Sequence, residues 1–229
     1  RISYPEALSE QRRIVAILDE AFEGIATAKA NAEKNLQNAR ELFQGALRAA
    51  FQATHGSWER RALVELCLVD WGNTDLTKAS YVESGEFLAV SAAGCDGRIS
   101  HAEHRAFTPV MSAIGAQCGR MFLPTEDFTA IKNTITLTPR AGVCSGPFLF
   151  RLLTAIELPK RGAAQPFIAK GDIQSFTVLV PKSLPEQESV VDHLDQLQAK
   201  IDDLSSIYQR RVRALDELKK SLLHQAFTG

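Results

Sequence analysis

The chain reads LSEQRRIVAILDEA at residues 8–21 and LPEQESVVDHLDQL at residues 184–197. Moving one copy by 176 positions aligns the two without a gap, as far as Phe51 on Phe227. Two unrelated amphipathic helices would share the spacing of apolar residues. They would not also share a Glu-Gln pair near the start and an Ala-Phe pair at the end. The two segments are therefore an internal repeat.

Apolar residues recur at alternating steps of three and four within each copy. They are Val15, Leu18, Phe22, Ile25, Ala32, Leu36, Ala39, Phe43, Ala46 and Ala50 in the first, and Val190, Leu194, Leu197, Ile201, Leu204, Tyr208, Leu215, Leu218 and Leu222 in the second. A mean spacing of 3.5 residues is typical of a coiled coil. The pattern predicts two long helices, within 1–56 and 181–229, and about 45 residues at 1.5 Å per residue make each about 65 Å long. Lys29 and Arg211 interrupt the apolar seams.

The segment between the copies must leave the end of the first helix and return to the start of the second. The simplest closure is an antiparallel helical hairpin that carries a globular head. Two complementary seams in one chain meet at high effective concentration, which favours this arrangement. The alternative is that each helix pairs with a helix of another chain, as in a homodimer.

The head, residues 57–180, has a different pattern. Short alternating runs at 131–138 and 175–180 predict strands. Turn signals separate such runs, at 71–74, 94–97, 115–116, 140–142 and 161–164. One apolar segment, 146–156, predicts a helix packed across the sheet. The expected fold class is α+β, with two long helices in an antiparallel coiled-coil hairpin and one β-rich globular domain.

Composition limits the classes of protein. The chain has 229 residues, a net charge of −1, and no apolar run long enough to cross a membrane or to open a secretory signal. A cytoplasmic location is expected. Lysine plus arginine balance aspartate plus glutamate in the helices and in the head alike, so any basic patch must arise from folding. The four cysteines are too far apart for a zinc or redox motif, and we expect buried or half-buried thiols: Cys67, Cys95, Cys118 and Cys144.

Motifs of catalysis are missing from the sequence. It contains no phosphate-binding loop, no dinucleotide fingerprint, no nucleophile elbow and no zinc-protease motif. His101 and His104 have a spacing that could place two imidazoles on one helical face, but no second ligand pair accompanies them. We expect a solvent-facing loop there and predict neither a metal site nor a catalytic residue. A small enzyme with an unrecognised site in the head stays open as an alternative.

Taken together, the Leu-x-Glu-Gln motif that opens each helix, the run 172–181 before the second copy, and Trp58 after an Ala-Phe-x-x-x-x-Gly ending resemble one known family. It is the specificity (S) subunit of type I restriction-modification enzymes. The resemblance covers essentially the whole chain, strongly at both ends and loosely in the middle. It implies that 57–180 is a target recognition domain between two long helices. It also implies that the chain is the C-terminal portion of a full subunit with two such domains, or a naturally shortened version.

The resemblance further implies a non-catalytic subunit that reads double-stranded DNA and docks modification (methyltransferase) and restriction subunits. S-adenosylmethionine would bind in the modification subunits, and no cofactor is expected in this chain. Two classes of alternative stay open at this point. One is a coiled-coil adaptor that presents its β-rich head to a protein partner, and the other is the specificity end of a fused methyltransferase.

Reading a base sequence requires Arg, Asn or Gln at base edges and Lys or Arg on phosphates. The leading candidates lie in 160–166, which resembles a Gly-x-x-Gln-Pro loop of these recognition domains: Lys160, Arg161, Gly162 and Gln165. Further candidates are Lys170, Lys78, Arg98, His101, Arg105 and Arg120. For each of these further side chains, a surface charge without a DNA contact is an equal alternative.

Overall fold

The structure is a computed structural model that describes residues 5–52 and 58–228. The predicted boundary between 56 and 57 lies outside the described residues. The chain divides into two compact units, Arg1–Gly45 with Asp195–Gly229, and Ala46–Leu194. The first unit holds most of both long helices. The second holds the head, the end of the first helix and the start of the second.

The two long helices are α1, Leu8–Gln52, and α5, Leu184–Thr228. Within the first unit they run antiparallel. The Lys219 ammonium lies 5.1 Å from the centre of the Phe22 ring, and Lys29 donates to the Asp216 carboxylate at 2.8 and 2.9 Å. A contact made later in the sequence of α1 therefore involves an earlier residue of α5, as expected for antiparallel helices. The predicted hairpin is confirmed, and Lys29 of the interrupted seam has an acidic partner.

The buried part of the seam is narrower than predicted. Ile25, Ala32, Ala39, Phe43 and Ile201 are buried, as expected. Three other predicted seam residues are exposed, namely Val15, Leu204 and Leu218. Two helices cover only a narrow stripe of each other, so a residue at the stripe's margin or beyond its partner's side chains stays in contact with solvent. None of the described helices is both long and apolar enough to cross a membrane.

Within the described residues, the head contains nine short strands in three sheets. The first sheet pairs β1, Trp58–Ala62, with β9, Thr177–Pro181. The second has the order β2-β8-β5-β6, formed by Cys67–Trp71, Thr134–Pro139, Val110–Ser112 and Met121–Phe122. The third has the order β4-β3-β7, formed by Gly94–Ile99, Phe87–Ser91 and Phe128–Ala130. All pairs are antiparallel except β3 with β7.

Short helices fill the rest of the head. They are α2, Leu63–Leu66, α3, Gly146–Ala155, and α4, Lys170–Ser175, with one turn of 3-10 helix at Lys78–Ser80. The predicted helix at 146–156 is confirmed as α3. The Ser145 hydroxyl accepts from the N–H of Phe148, and Pro147 lies in the first turn, both of which favour a helix start. A buried cluster between sheets includes Val90, Val110 and Phe128.

Four sequence-based expectations about the head were wrong, two of them only in where a strand begins. The predicted turn at 94–97 is strand β4, and the turn falls on Ala92 and Ala93. Gly97 is required there for close approach, since a Cβ would overlap the Tyr81 ring. The predicted strand at 175–180 begins at Thr177, because the preceding residues form α4, and the strand predicted at 131–138 begins at Thr134. Cys95 is exposed, because its side of β4 is not covered, whereas the other three thiols are buried.

Candidate nucleic-acid interface

Two loops of the head lie side by side, and we call residues 115–120 and 160–167 the loop pair. The backbone N–H of Gly115 donates to the carbonyl of Pro166 at 2.8 Å. An isolated antiparallel bridge extends this contact from the residue before Gly115 to Phe167. Because backbone hydrogen bonds join the loops, their side chains form one surface.

The first loop is a tight turn with an ordered polar tip. Gly115 and Gly119 adopt φ of 90° and 88°, a conformation that favours glycine. The Arg120 side chain donates to the Gln117 amide oxygen at 2.8 Å, and its guanidinium lies 5.3 Å from the centre of the Phe122 ring. Stacking on an aromatic face and a hydrogen bond together fix this guanidinium. The turn therefore presents an arginine and an amide in one defined arrangement.

Lys160 of the second loop lies against the first. A Cβ at Gly119 would be 3.2 Å from the Lys160 Cε, so the lysine stem crosses the turn. Lys160 and Arg48 line a cavity of about 590 Å³. Within residues 5–52 and 58–228, none of Lys160, Arg48 and Arg120 pairs with a carboxylate. The loop pair thus carries positive charge that the head does not neutralise.

Arg161 is held both at its backbone and at its side chain. Its backbone N–H and carbonyl exchange hydrogen bonds with those of Phe167, both at 2.8 Å. Its Nε donates to Asp172 Oδ2 at 2.7 Å and its Nη2 to Asp172 Oδ1 at 2.6 Å. The Asp172 carboxylate raises the pKa of Arg161 above its ordinary value. Gly162 follows with φ of 81°, and Gln165 lies exposed at the tip of the loop.

The other candidate cations are neutralised by carboxylates. Lys78 pairs with Asp96 at 2.5 Å, Arg98 with Glu126 at 2.9 Å, Arg105 with Asp127 at 2.8 Å and Lys170 with Asp70 at 2.8 Å. The hydrogen bond from Lys170 holds the pKa of Asp70 below its usual range. Exposed pairs of this kind add little stability, but the carboxylate reduces the attraction that a DNA phosphate would meet. The structure therefore brings Arg120 to the leading candidates at 160–165 and leaves these four outside the loop pair.

The two histidines lie in a loop, as expected, and face different surroundings. His101 Nε2 is 3.4 Å from the Glu103 carboxylate on the surface. The His104 ring is half-buried, with its centre 5.2 Å from that of Phe128. Burial lowers the pKa of His104 and so favours the neutral imidazole. The described residues contain no group of three or more His, Cys, Asp or Glu side chains able to hold a metal ion.

Comparison with known proteins identifies the family. A family model described as type I restriction modification DNA specificity domain matches residues 56–209, about two thirds of the chain. The chain belongs to this specificity-domain family. A comparison with curated proteins gave no match.

Solved structures share the fold of this specificity-domain chain. A chain from a study of complex assembly and conformational transition of the type I R-M system is similar at a TM-score of 0.83 and 23% identity, over 97% of this chain and 60% of that chain. The HsdS subunit from Thermoanaerobacter tengcongensis matches at 0.62 and 21%, over 97% and 59%. The S subunit from M. genitalium matches at 0.62 and 16%, over 98% and 62%. The chain thus spans about three fifths of the length of these proteins.

Sequence reasoning overlooked two residues of this surface in the specificity domain. Gln117 lies between Gly115 and Gly119, and this glycine spacing around an amide was a usable signal. Arg48 lies near the end of α1, where the heptad pattern assigns it to a helix surface. Arg48 lines the same cavity as Lys160 because the chain that follows α3 folds back to the end of α1. A local sequence pattern cannot predict this proximity.

Proposed function

We propose that the chain is the DNA-recognition and scaffold part of a type I restriction-modification complex, and that its loop pair reads one half-site. The observation that carries this proposal is the family match over the head together with the un-neutralised Lys160 and Arg120 on that head. Phosphate contacts need free cations, and base contacts need fixed amide or guanidinium groups. The loop pair offers both within two adjacent loops.

The remaining parts of the proposal concern partners. We infer that modification subunits dock on the long helices, and the similarity to a chain studied for complex assembly of the type I R-M system supports a role in assembly. We place methyl transfer, and therefore S-adenosylmethionine, in those modification subunits, and cleavage in restriction subunits. The location that fits such a complex is the cytoplasm.

We also infer that a second recognition head sits at the free end of the hairpin, which we define by Leu8, Val15, Leu223 and Phe227. Their repeat equivalents Leu47, Phe51 and Val191 are 0%, 7% and 8% exposed where they meet the head, whereas Leu223, Phe227 and Val15 are 37%, 46% and 55% exposed. Equivalent positions of the repeat thus form a contact surface for the head in one place and an uncovered apolar surface in the other. In a second copy of this chain the head is already bound to its own helices, so it is not free to cover this surface. We therefore expect a separate recognition head to cover it.

A homodimer through the long helices is the competing arrangement, and sedimentation separates the two. We expect a monomer at every concentration of the isolated chain. A dimer that forms with rising concentration and dissociates in the Val15→Asp and Phe227→Asp variants would instead favour pairing of two copies.

Selection from randomised duplex DNA tests the main proposal. The chain would be co-purified with the modification subunit encoded beside it, and the enriched sequences compared between wild type, Gln165→Ala, Gln117→Ala and the matched control Lys78→Ala. We expect one short motif, altered by the two loop-pair variants and unchanged in the control. A stable complex that enriches no sequence would overturn DNA reading and favour the adaptor protein instead.

A further inference from the structure

The Arg161–Asp172 pair differs in its geometry from the four ion pairs of the head named above. Both bonds are short, and they use the side edge of the guanidinium, Nε and Nη2. The Asp172 side chain is 20% exposed and the Arg161 side chain 60% exposed. The carboxylate is therefore set into the surface while the arginine projects from it.

The hydrogen-bond donors that remain on Arg161 follow from this geometry. A guanidinium has five N–H donors, and Asp172 accepts two of them. The three that remain are both hydrogens of Nη1 and one of Nη2. One hydrogen of each nitrogen lies on the end edge of the fork, parallel to the other. Two parallel donors of this kind can bind guanine O6 and N7 together in the DNA major groove.

Two hydrogen bonds to Asp172 restrain the orientation of the guanidinium. The Arg161 backbone is fixed by its two hydrogen bonds with Phe167, and Asp172 lies in α4, which is anchored by the buried Ile173. A side chain fixed before binding loses less conformational entropy when it makes a contact. Arg161 is also the one cation of the loop pair whose charge is neutralised, so it is poorly suited to phosphate and better suited to a directional contact.

We propose that Asp172 is a positioning residue that presents the free edge of Arg161 to a guanine of the half-site. This rests on the proposed function and deepens it, since it names the base and the pair of residues that reads it. Asp172 itself does not touch DNA. Its carboxylate selects one orientation of the guanidinium and leaves the other edge free.

The alternative role of Asp172 is simple charge neutralisation, and the two roles predict opposite results. If Asp172 only neutralised Arg161, its removal would strengthen binding to every DNA sequence equally, because one more cation would meet the phosphates. If Asp172 positions Arg161, its removal weakens discrimination at one base pair and leaves the others unchanged.

The experiment is a base-pair scan of the selected half-site with the complex of this chain and its modification subunit. Each position is replaced by the three other pairs, and binding is measured for wild type, Arg161→Ala, Asp172→Asn, the double variant and Glu126→Gln. The last is the matched control, since it makes the same charge change beside Arg98. Thermal unfolding of each variant verifies that it is folded.

We expect wild type to prefer one G·C pair by roughly ten-fold to a hundred-fold, the range typical of a bidentate arginine contact. Arg161→Ala and Asp172→Asn should each reduce the preference at that pair, and the double variant should lose no more than Arg161→Ala. The control should leave the profile unchanged. If Arg161→Ala alters the profile and Asp172→Asn does not, or if the affected pair is A·T, the inference is overturned while DNA reading stands. A wild type without any preference would overturn both.

Discussion

Phe51 and Phe227 occupy equivalent positions of the repeat, yet Phe51 is 7% exposed and Phe227 is 46% exposed. The Phe51 ring lies 6.3 Å from that of Trp58 and 5.6 Å from that of Phe148, measured between ring centres. A phenylalanine at the same position of the repeat therefore packs against aromatic rings of the head in one copy and is exposed to solvent in the other.

This difference predicts unequal costs for one substitution. Phe51→Ala should lower the free energy of unfolding by about 3–5 kcal/mol, since it removes a buried ring and leaves a cavity. Phe227→Ala should change it by less than about 0.5 kcal/mol, as for most surface positions. Chemical denaturation of the two variants provides the comparison. An equal loss in the free energy of unfolding for both variants would show that Phe227 is also packed against other side chains.

The buried glutamine of the second Glu-Gln pair gives a second comparison. Gln187 is 1% exposed, donates to the Val143 carbonyl at 2.9 Å and accepts from the Ser145 N–H at 3.3 Å. Gln187→Ala would remove the partner of two half-buried backbone groups, and we expect a loss of about 1–3 kcal/mol of stability. The repeat partner Gln11 donates to the Pro5 carbonyl at 2.7 Å in a half-buried position. We expect Gln11→Ala to cost less, and a cost as large as that of Gln187→Ala would contradict the difference in burial.

Much of this architecture could be predicted because it depends on periodicity. The 3.5-residue spacing predicted both long helices, and the alignment of Phe51 with Phe227 established the repeat. The head was less predictable, because its glycines serve close packing as well as turns. Gly97 is in a strand since the Tyr81 ring lies where its Cβ would be.

The candidate site could be predicted only as separate loops. Arg161 and Gln165 stand out in the sequence, but the contact between 115–120 and 160–167 joins segments separated by 39 residues. Charge was the least predictable property. Lys78, Arg98 and Arg105 are as conspicuous in the sequence as Lys160, and only the fold places carboxylates beside them.

The salt dependence of DNA binding should identify the side chains that bind phosphates. Lys160→Ala and Arg120→Ala should each weaken binding to every sequence and reduce the slope of log affinity against log salt by about 1, because each removes one cation from a phosphate. Lys78→Ala is the control, because Asp96 already neutralises Lys78. Fluorescence anisotropy at several salt concentrations measures the slopes. An unchanged slope in both loop-pair variants would place the phosphates elsewhere.

Backbone shape in the second loop can be tested with two glycines of similar conformation. Gly162 and Gly142 have φ of 81° and 75°, so alanine should strain both by about 1–2 kcal/mol. A Cβ at Gly162 would lie 2.5 Å from the Gln165 carbonyl oxygen, whereas nothing lies within 4 Å of one at Gly142. Gly162→Ala should therefore reduce DNA discrimination and Gly142→Ala should not. A similar loss in both variants would indicate general destabilisation.

The thiols should differ in reactivity. Burial raises the pKa of Cys67 and of Cys144 to about 12, and both side chains are shielded from solvent. At pH 8 we expect an alkylating reagent to modify Cys95 first, and Cys95→Ala should remove this phase in a mass-spectrometric time course.

The two buried thiols also make stability depend on pH. Their neutral forms stabilise the fold below the unfolded-state pKa of about 9, and this contribution is lost as the pH rises from about 9 toward 12.

Amide hydrogen exchange, measured on the complex of this chain with its modification subunit, with and without the selected duplex, tests most directly where DNA is read. We predict that DNA slows exchange in both 115–120 and 160–167, while the turn at 92–93 of the β3–β4 hairpin is unchanged. Protection at the β3–β4 hairpin with none in the loop pair would contradict a reading surface built by these two loops.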